Sequence, residues 1–249
     1  MSLPIIFFDI PSQISGSAWS PNTWKTRFSL NIKRVAYRTE WIEYCDIEAL
    51  ALKIGAIPTD VKPDGKPLYT LPIIQDPNTG KVIADSFAIA EYLDETYPNA
   101  PTLFPRGSKA LFAAFEGGIV NALGPIGRLQ LALICPLLNG PSEKYYRPSR
   151  EAMFGMKIEE FSPIGEKRDG DLAKFKASLA SVYEWLAKSN GEYVMDDTVS
   201  YADAILNGWL IWIKIVHGAD SEVWKDIASW NEGRWAKHLK AMDKFAAIV

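Results

Sequence analysis

The sequence predicts a two-domain α+β protein, a mixed βαβαββα unit followed by an all-helical one. Three observations carry this. Short apolar runs alternate with helical stretches as far as residue 97, with one strong hairpin turn among them. Three prolines then fall between Pro98 and Gly107 with no helical period. Beyond them the strand signal disappears. The expected division is 1–97 for the mixed domain, 98–107 for a linker and 108–249 for the helical domain. A chain of 249 residues suits two ordinary domains.

The elements follow in order. Met1 to Ile10 is apolar but short, lacks a basic start and holds Asp9, so it reads as a strand over Pro4 to Ile10 and not as a signal peptide. Ser12 to Ser20 is a Ser/Gly-rich loop. Pro21 to Lys33 reads as a helix opened by Ser-Pro, with Trp24, Phe28 and Leu30 as its apolar residues. Ala36 to Glu43 reads as a strand and Ile47 to Ile54 as a short helix, before a loop from Pro58 to Tyr69. Leu71 to Asp76 and Val82 to Ala84 flank the turn Pro77-Asn78-Thr79-Gly80. Ser86 to Tyr97 is a helix. In the second domain, Ser108 to Leu123 and Ile126 to Leu138 read as helices separated at Gly124-Pro125. Asn139 to Gly170 reads as irregular. Helices follow at Asp171 to Ser189, Tyr201 to His217 and roughly Asn231 to Ala247. Ser200-Tyr201-Ala202-Asp203 resembles a capping box for the second of these.

Composition narrows the function. Hydrophobic content of 48% and charged content of 23% describe a soluble chain with a sizeable core. A net charge of −3 gives no argument for nucleic acid or an anionic membrane. The apolar stretch Leu129 to Leu138 is interrupted by Gln130 and Pro136 and is short for a span. Cys45 and Cys135 are the only cysteines, which points to a reducing, cytoplasmic setting, and no CxxC is present for dithiol chemistry. Two histidines supply neither a zinc site nor a Ser-His-Asp triad well, so no metal is expected.

The chemistry is expected at three places. Ser20 lies just after the first strand, at the start of the first helix. It is either a plain helix cap or a hydroxyl donor that stabilises a bound thiolate. Ser15, Ser17, Asn22 and Thr23 are its neighbours and competitors, and Trp19 either walls the site or packs. Leu71-Pro72 begins a strand at a residue that cannot donate to a ladder. It is either an ordinary trans proline or a cis one that turns the Leu71 N–H and C=O outward to pair with a peptide-like ligand. Asp85-Ser86 opens a helix. The pair is either a cap, or it holds a carboxylate at Ser86 and an ammonium group at Asp85.

In this order these motifs resemble those of the cytosolic glutathione transferases, over nearly the whole chain. The segments Trp19-Ser20-Pro21-Asn22-Thr23-Trp24-Lys25, Pro67-Leu68-Tyr69-Thr70-Leu71-Pro72 and Ala90-Glu91-Tyr92-Leu93-Asp94 are most similar to the etherase-related group, which includes bacterial lignin β-aryl etherases and the fungal FuA class. The resemblance implies a thioredoxin-like first domain, glutathione as cofactor and a homodimer. It implies that Ser20 activates the glutathione sulfur, that Leu71 beside Pro72 pairs with the cysteinyl backbone, and that Asp85 and Ser86 hold the γ-glutamyl end. Many relatives carry Glu or Gln where this chain has the shorter Asp85. The expected activity is attack of the thiolate on aromatic electrophiles, extending to aryl ether cleavage. The rival expectation is a binding protein for plant polyphenols on the same fold.

Overall fold

The computed structural model describes residues 2–62 and 64–249; Met1, in the apolar start, and Pro63, in the Pro58 to Tyr69 loop, lie outside them. The chain folds as two domains, an N-terminal mixed sheet with helices and a C-terminal helical one.

Strand β1 (Ile5–Asp9) is central in a four-stranded sheet of order β2-β1-β5-β6. It runs parallel to β2 (Tyr37–Trp41) and antiparallel to β5 (Ile73–Asp76), which pairs antiparallel with β6 (Lys81–Ala84). Successive β1 side chains enter different cores, as the period of two requires. Ile5 and Phe7 join Trp24 and Phe28 of α1 (Pro21–Lys33) and Ile89 and Leu93 of α3 (Ser86–Thr96). Phe8 joins Ile47 and Ala51 of α2 (Ile47–Ile54). The segment from Pro58 to Tyr69 is less irregular than its composition suggests. Asp60–Val61 (β3) and Pro67–Leu68 (β4) pair as a small separate ladder.

Ion pairs with buried cations tie α1 to its surroundings, Lys25 with Glu116 at 2.5 Å among them. Arg27 donates to Asp9 at 2.7 Å, and both side chains are wholly inaccessible. The Arg27 guanidinium also lies over the rings of Phe7, Trp24 and Trp41. Lys33 donates to Asp94 of α3 at 2.9 Å. Asp94 further accepts from Thr102 Oγ1 at 2.7 Å and from the N–H groups of Leu103 and Phe104 at 2.8 and 3.0 Å, which anchors the segment between the domains. Burial alone would raise the Asp94 carboxyl; these donors outweigh it and hold it below the ordinary carboxylate range. Stability from a depressed acid is present above its unfolded pKa of about 4 and is lost as pH falls through the lower folded value. Asp94→Asn is therefore expected to cost about 2 kcal/mol near neutral pH and to flatten part of the acid unfolding limb below pH of about 4. Acid unfolding curves of the two proteins that run parallel would remove Asp94 from this role.

The helical domain departs from expectation in three places. First, α4 (Lys109–Ile134) runs unbroken through Pro125. A mid-helix proline costs about 3 kcal/mol. Here Phe112, Ile119, Leu123, Ile126, Leu129 and Ile134 form one buried stripe, and α4 packs on α6 (Glu166–Leu186) and α7 (Tyr201–His217), which outweighs the lost bond. The continuous stretch Lys109–Leu137 holds an 18-residue window with a mean hydropathy of 1.4, enough for a membrane span by length and composition alone. Its stripe is buried in the protein core. Second, α5 (Gly140–Phe154) and a single 3₁₀ turn (Ile158–Glu160) occupy much of the stretch expected to be irregular. Only Ser142 and Tyr146 of α5 are buried, so no apolar period marks it. Third, α8 (Glu222–Met242) begins earlier than expected, because the Ser221 hydroxyl caps it by accepting from the Trp224 N–H. It is interrupted at Trp230–Gly233, near where the sequence suggested its start.

Helix α7 has the expected bounds. The Asp203 carboxylate accepts from the Ser200 N–H at 2.8 Å, closing the capping box. Its Gly208 packs directly on the first turn of α1. A Cβ there would lie 2.7 Å from the Pro21 carbonyl oxygen and 2.9 Å from Lys25 Cγ. Only glycine allows this approach.

Candidate active site

Ser20 stands at the N-cap position of α1 with an extended backbone (φ −65°, ψ 130°). Its carbonyl accepts from the Trp24 N–H at 2.9 Å and from Thr23 Oγ1 at 3.1 Å. The hydroxyl makes no capping bond. It borders a cavity of about 240 Å³ instead. The simple cap reading therefore fails on geometry, and the first turn of α1 keeps its unpaired donors. Of the competing neighbours, Asn22 also borders this cavity, whereas Thr23 is fully buried and spent on the Ser20 carbonyl. Trp19 is buried in the core that holds Phe8, so it packs.

Leu71 borders the same cavity. The Leu71-Pro72 bond is cis. The antiparallel ladder with β1 ends at Ile73, and among the described residues neither the Leu71 N–H nor its C=O has a hydrogen-bond partner. The structure thus brings Ser20 and Leu71, far apart in the chain, to one cavity.

Asp85 and Ser86 lie next to this wall, tied to it by the Asp85 N–H, which donates to the Pro72 carbonyl at 3.2 Å. They are not part of the cavity lining itself. Asp85 is exposed and caps α3, with its Oδ1 accepting from the N–H groups of Phe87 and Ala88 at 2.8 and 3.0 Å. Its φ of 82° is strained for a residue with a Cβ. Ser86, at the first position of α3, is 3% exposed.

From sequence, Tyr145, Tyr146 and Arg147 stand out in the stretch read as irregular, the aromatics either as a face for flat phenolic ligands or as domain packing; the rest of this side of the cavity is missed. Tyr44, Cys45 and Lys62 border it from the first domain; Tyr145, Arg150 and Met153 border it from α5. Tyr44 and Tyr145 stack with ring centroids 6.1 Å apart. Arg150 lies over the Tyr146 ring at 4.6 Å and the Tyr44 ring at 5.8 Å. Tyr146 and Arg150 are four apart, a spacing that would have put them on one face had the segment been read as a helix. Glu43 holds α5 against this wall by accepting from Asn139 Nδ2 at 2.8 Å and from the Ser142 hydroxyl. Cys45 is exposed; partial desolvation and the neighbouring Asp46 carboxylate push its thiol up, away from the thiolate form a nucleophile needs.

Residues 19–96 match the glutathione S-transferase N-terminal domain and residues 110–245 match the glutathione S-transferase C-terminal domain. The chain belongs to the glutathione S-transferase family. This transferase is similar to CsGST63524 of Ceriporiopsis subvermispora, solved in complex with glutathione, at 44% identity and a TM-score of 0.93 over 99% of each chain. It is likewise similar to the glutathione transferase GSTFuA3 of Phanerochaete chrysosporium, at 44% identity and a TM-score of 0.92 over 98% of each chain. The glutathione S-transferase-like protein ustS of Aspergillus flavus is 32% identical over 249 residues, which cover 93% of this transferase and 87% of that relative.

Proposed function

We propose that this transferase binds glutathione along the Leu71 wall, holds it as the thiolate at Ser20 and directs it at aromatic electrophiles, aryl ethers among them. The observation that carries this reading is the Ser20 hydroxyl, free of capping duty and sharing a cavity with an unpaired Leu71 peptide. Glutathione supplies the thiol, and the residues present fit it. The Leu71 N–H and C=O pair with its cysteinyl backbone as a short added strand. Ser86, at the N-terminus of α3, receives the γ-glutamyl carboxylate. Asp85 keeps only Oδ2 for the ammonium group, because Oδ1 is committed to the α3 cap. Ser20 donates to the sulfur, and the positive end of α1 adds to the preference for the anion. In ether cleavage the new C–S bond replaces a C–O bond, and the electron pair leaves on a phenolate.

The same reading takes residues 1–97 and 108–249 as the two domains with 98–107 as linker, and the working form as a cytoplasmic homodimer of the FuA, etherase-related kind. Similarity to GSTFuA3 supports the class. A second reading, a polyphenol-binding protein with little turnover, is favoured by the stacked Tyr44–Tyr145 wall.

Ultraviolet titration of the bound glutathione thiolate decides between them. A free thiol ionises at about 8.5. The transferase reading expects an apparent pKa about two units lower, which corresponds to about 2.7 kcal/mol favouring the thiolate. No binding, or an unshifted pKa, leaves the polyphenol-binding reading.

A further inference from the structure

The charges around the cavity do not balance locally. Lys62 donates to Glu48 at 2.7 Å, so these two cavity-lining charges compensate each other. Arg147, on the same helix as Arg150, lies among Glu143, Glu151 and Glu159. Arg150 differs. Among the described residues it forms no ion pair, and its Nη1 donates to Ser149 Oγ at 3.4 Å, a long bond. Its guanidinium is half-buried, with the Tyr146 ring on one side and Tyr44 nearby.

A guanidinium is always charged and carries five donors in a planar fork. Removing it partly from water without a carboxylate is costly unless something else satisfies those donors. The aromatic faces offset some of that cost, and the Tyr44 and Tyr146 hydroxyls engage part of the guanidinium, but both partners are neutral. With no carboxylate beside it, the charge and the remaining donors of the fork are open to an oxyanion entering the cavity. Tyr44 and Tyr145, stacked beside it, offer a flat apolar wall to the ring that would carry the anion.

The geometry points to Arg150 as the residue that selects the acceptor: it binds aromatic acceptors bearing an oxyanion, a ring carboxylate or a phenolate, in preference to their neutral counterparts. This deepens the proposed function and rests on the same cavity. It does not require that Ser20 activate a thiol, so the two ideas fail separately.

The test is binding of naphthoate and its methyl ester, read by intrinsic tryptophan fluorescence in the wild-type protein, Arg150→Met and Arg150→Lys. Wild type is expected to bind naphthoate about tenfold more tightly than the ester, a difference of about 1.4 kcal/mol. Arg150→Met is expected to abolish that preference while leaving ester and glutathione affinities within about twofold, and Arg150→Lys to retain part of it. A nitrophenolate against its methyl ether repeats the comparison. Discrimination confined to either ionised probe supports the assignment and names the oxyanion. Equal wild-type affinity for both members of both pairs overturns it whatever the variants do. Equal weakening of ionised and neutral probes in Arg150→Met and Arg150→Lys also overturns it, because Arg150 then only supports the wall. Wild type that discriminates between the naphthoates but binds no glutathione would sink the transferase reading and leave the Arg150 assignment standing.

Discussion

Ser20→Ala is expected to lower glutathione-dependent kcat/KM by about one to two decades, because a hydrogen bond to a charged group contributes about 1.5–3 kcal/mol. The loss should track the thiolate. The apparent pKa of bound glutathione should rise towards that of the free thiol, while glutathione affinity at a pH below both values, where the neutral thiol binds, stays nearly constant. The fold should not suffer, since the Ser20 side chain makes no cap bond to lose. Its carbonyl, which accepts from Trp24, is untouched by the substitution. A variant that keeps full activity on every responsive acceptor and an unshifted thiol pKa would reduce Ser20 to part of the wall. Asn22, which shares the cavity, would then be the donor to examine.

The largest effect on stability is expected at Asp9 and Arg27, and the two partners should not behave alike. Both are wholly buried, and arginine does not shed its proton. Asp9→Ala leaves an unpaired buried cation and should cost about 3–5 kcal/mol, a fall in unfolding midpoint of roughly 10 °C for a chain of this size. Arg27→Met should cost less at low pH, because an aspartate can take up a proton. Burial already pushes the Asp9 carboxyl above its ordinary range with Arg27 beside it, and without Arg27 the opposing pull is gone. An acid whose folded pKa is raised holds its proton more tightly in the folded state. Stability of Arg27→Met should therefore be greatest below pH of about 4 and decline as pH rises towards neutrality. The double variant Asp9→Leu with Arg27→Met should recover much of the loss. Thermal unfolding across pH checks all three. Equal, pH-independent losses in the two single variants would contradict this account.

What the sequence revealed was what local chemistry sets. Helix α1 opens at Ser20-Pro21, α2 stops at Gly55, where the backbone turns left-handed, and α7 starts at its capping box; each boundary is written within a few neighbouring residues. Ser20 and Leu71 belong to the same category, since each sits at a start signal. The failures came where partners distant in the chain decide the outcome. Pro125 reads locally as a break, and only the buried stripe on both sides of it carries α4 through. Helix α5 has little apolar character of its own. It is held by Glu43 and by the tyrosines it stacks against Tyr44. The Arg150 side of the cavity exists only because of that docking, so no local pattern announced it. Asp85 was legible as a pair with Ser86, but how its two oxygens are shared was not, because that depends on the strained backbone that aims Oδ1 at the α3 cap.

Gly208 bears on how such a chain can be inherited. The two domains look separable, joined by a short proline-bearing segment, and recombination between related genes would naturally cut there. Yet the helical partner's backbone sits against the turn that follows Ser20, at a spacing no other side chain permits. The start of the helix that carries Ser20 is held in place from outside by a residue of the other domain. A hybrid built from two parents therefore inherits a working seam only if both halves descend from lineages that kept glycine on one side and this first turn on the other. The pair is a unit of descent even though it is not a unit of sequence.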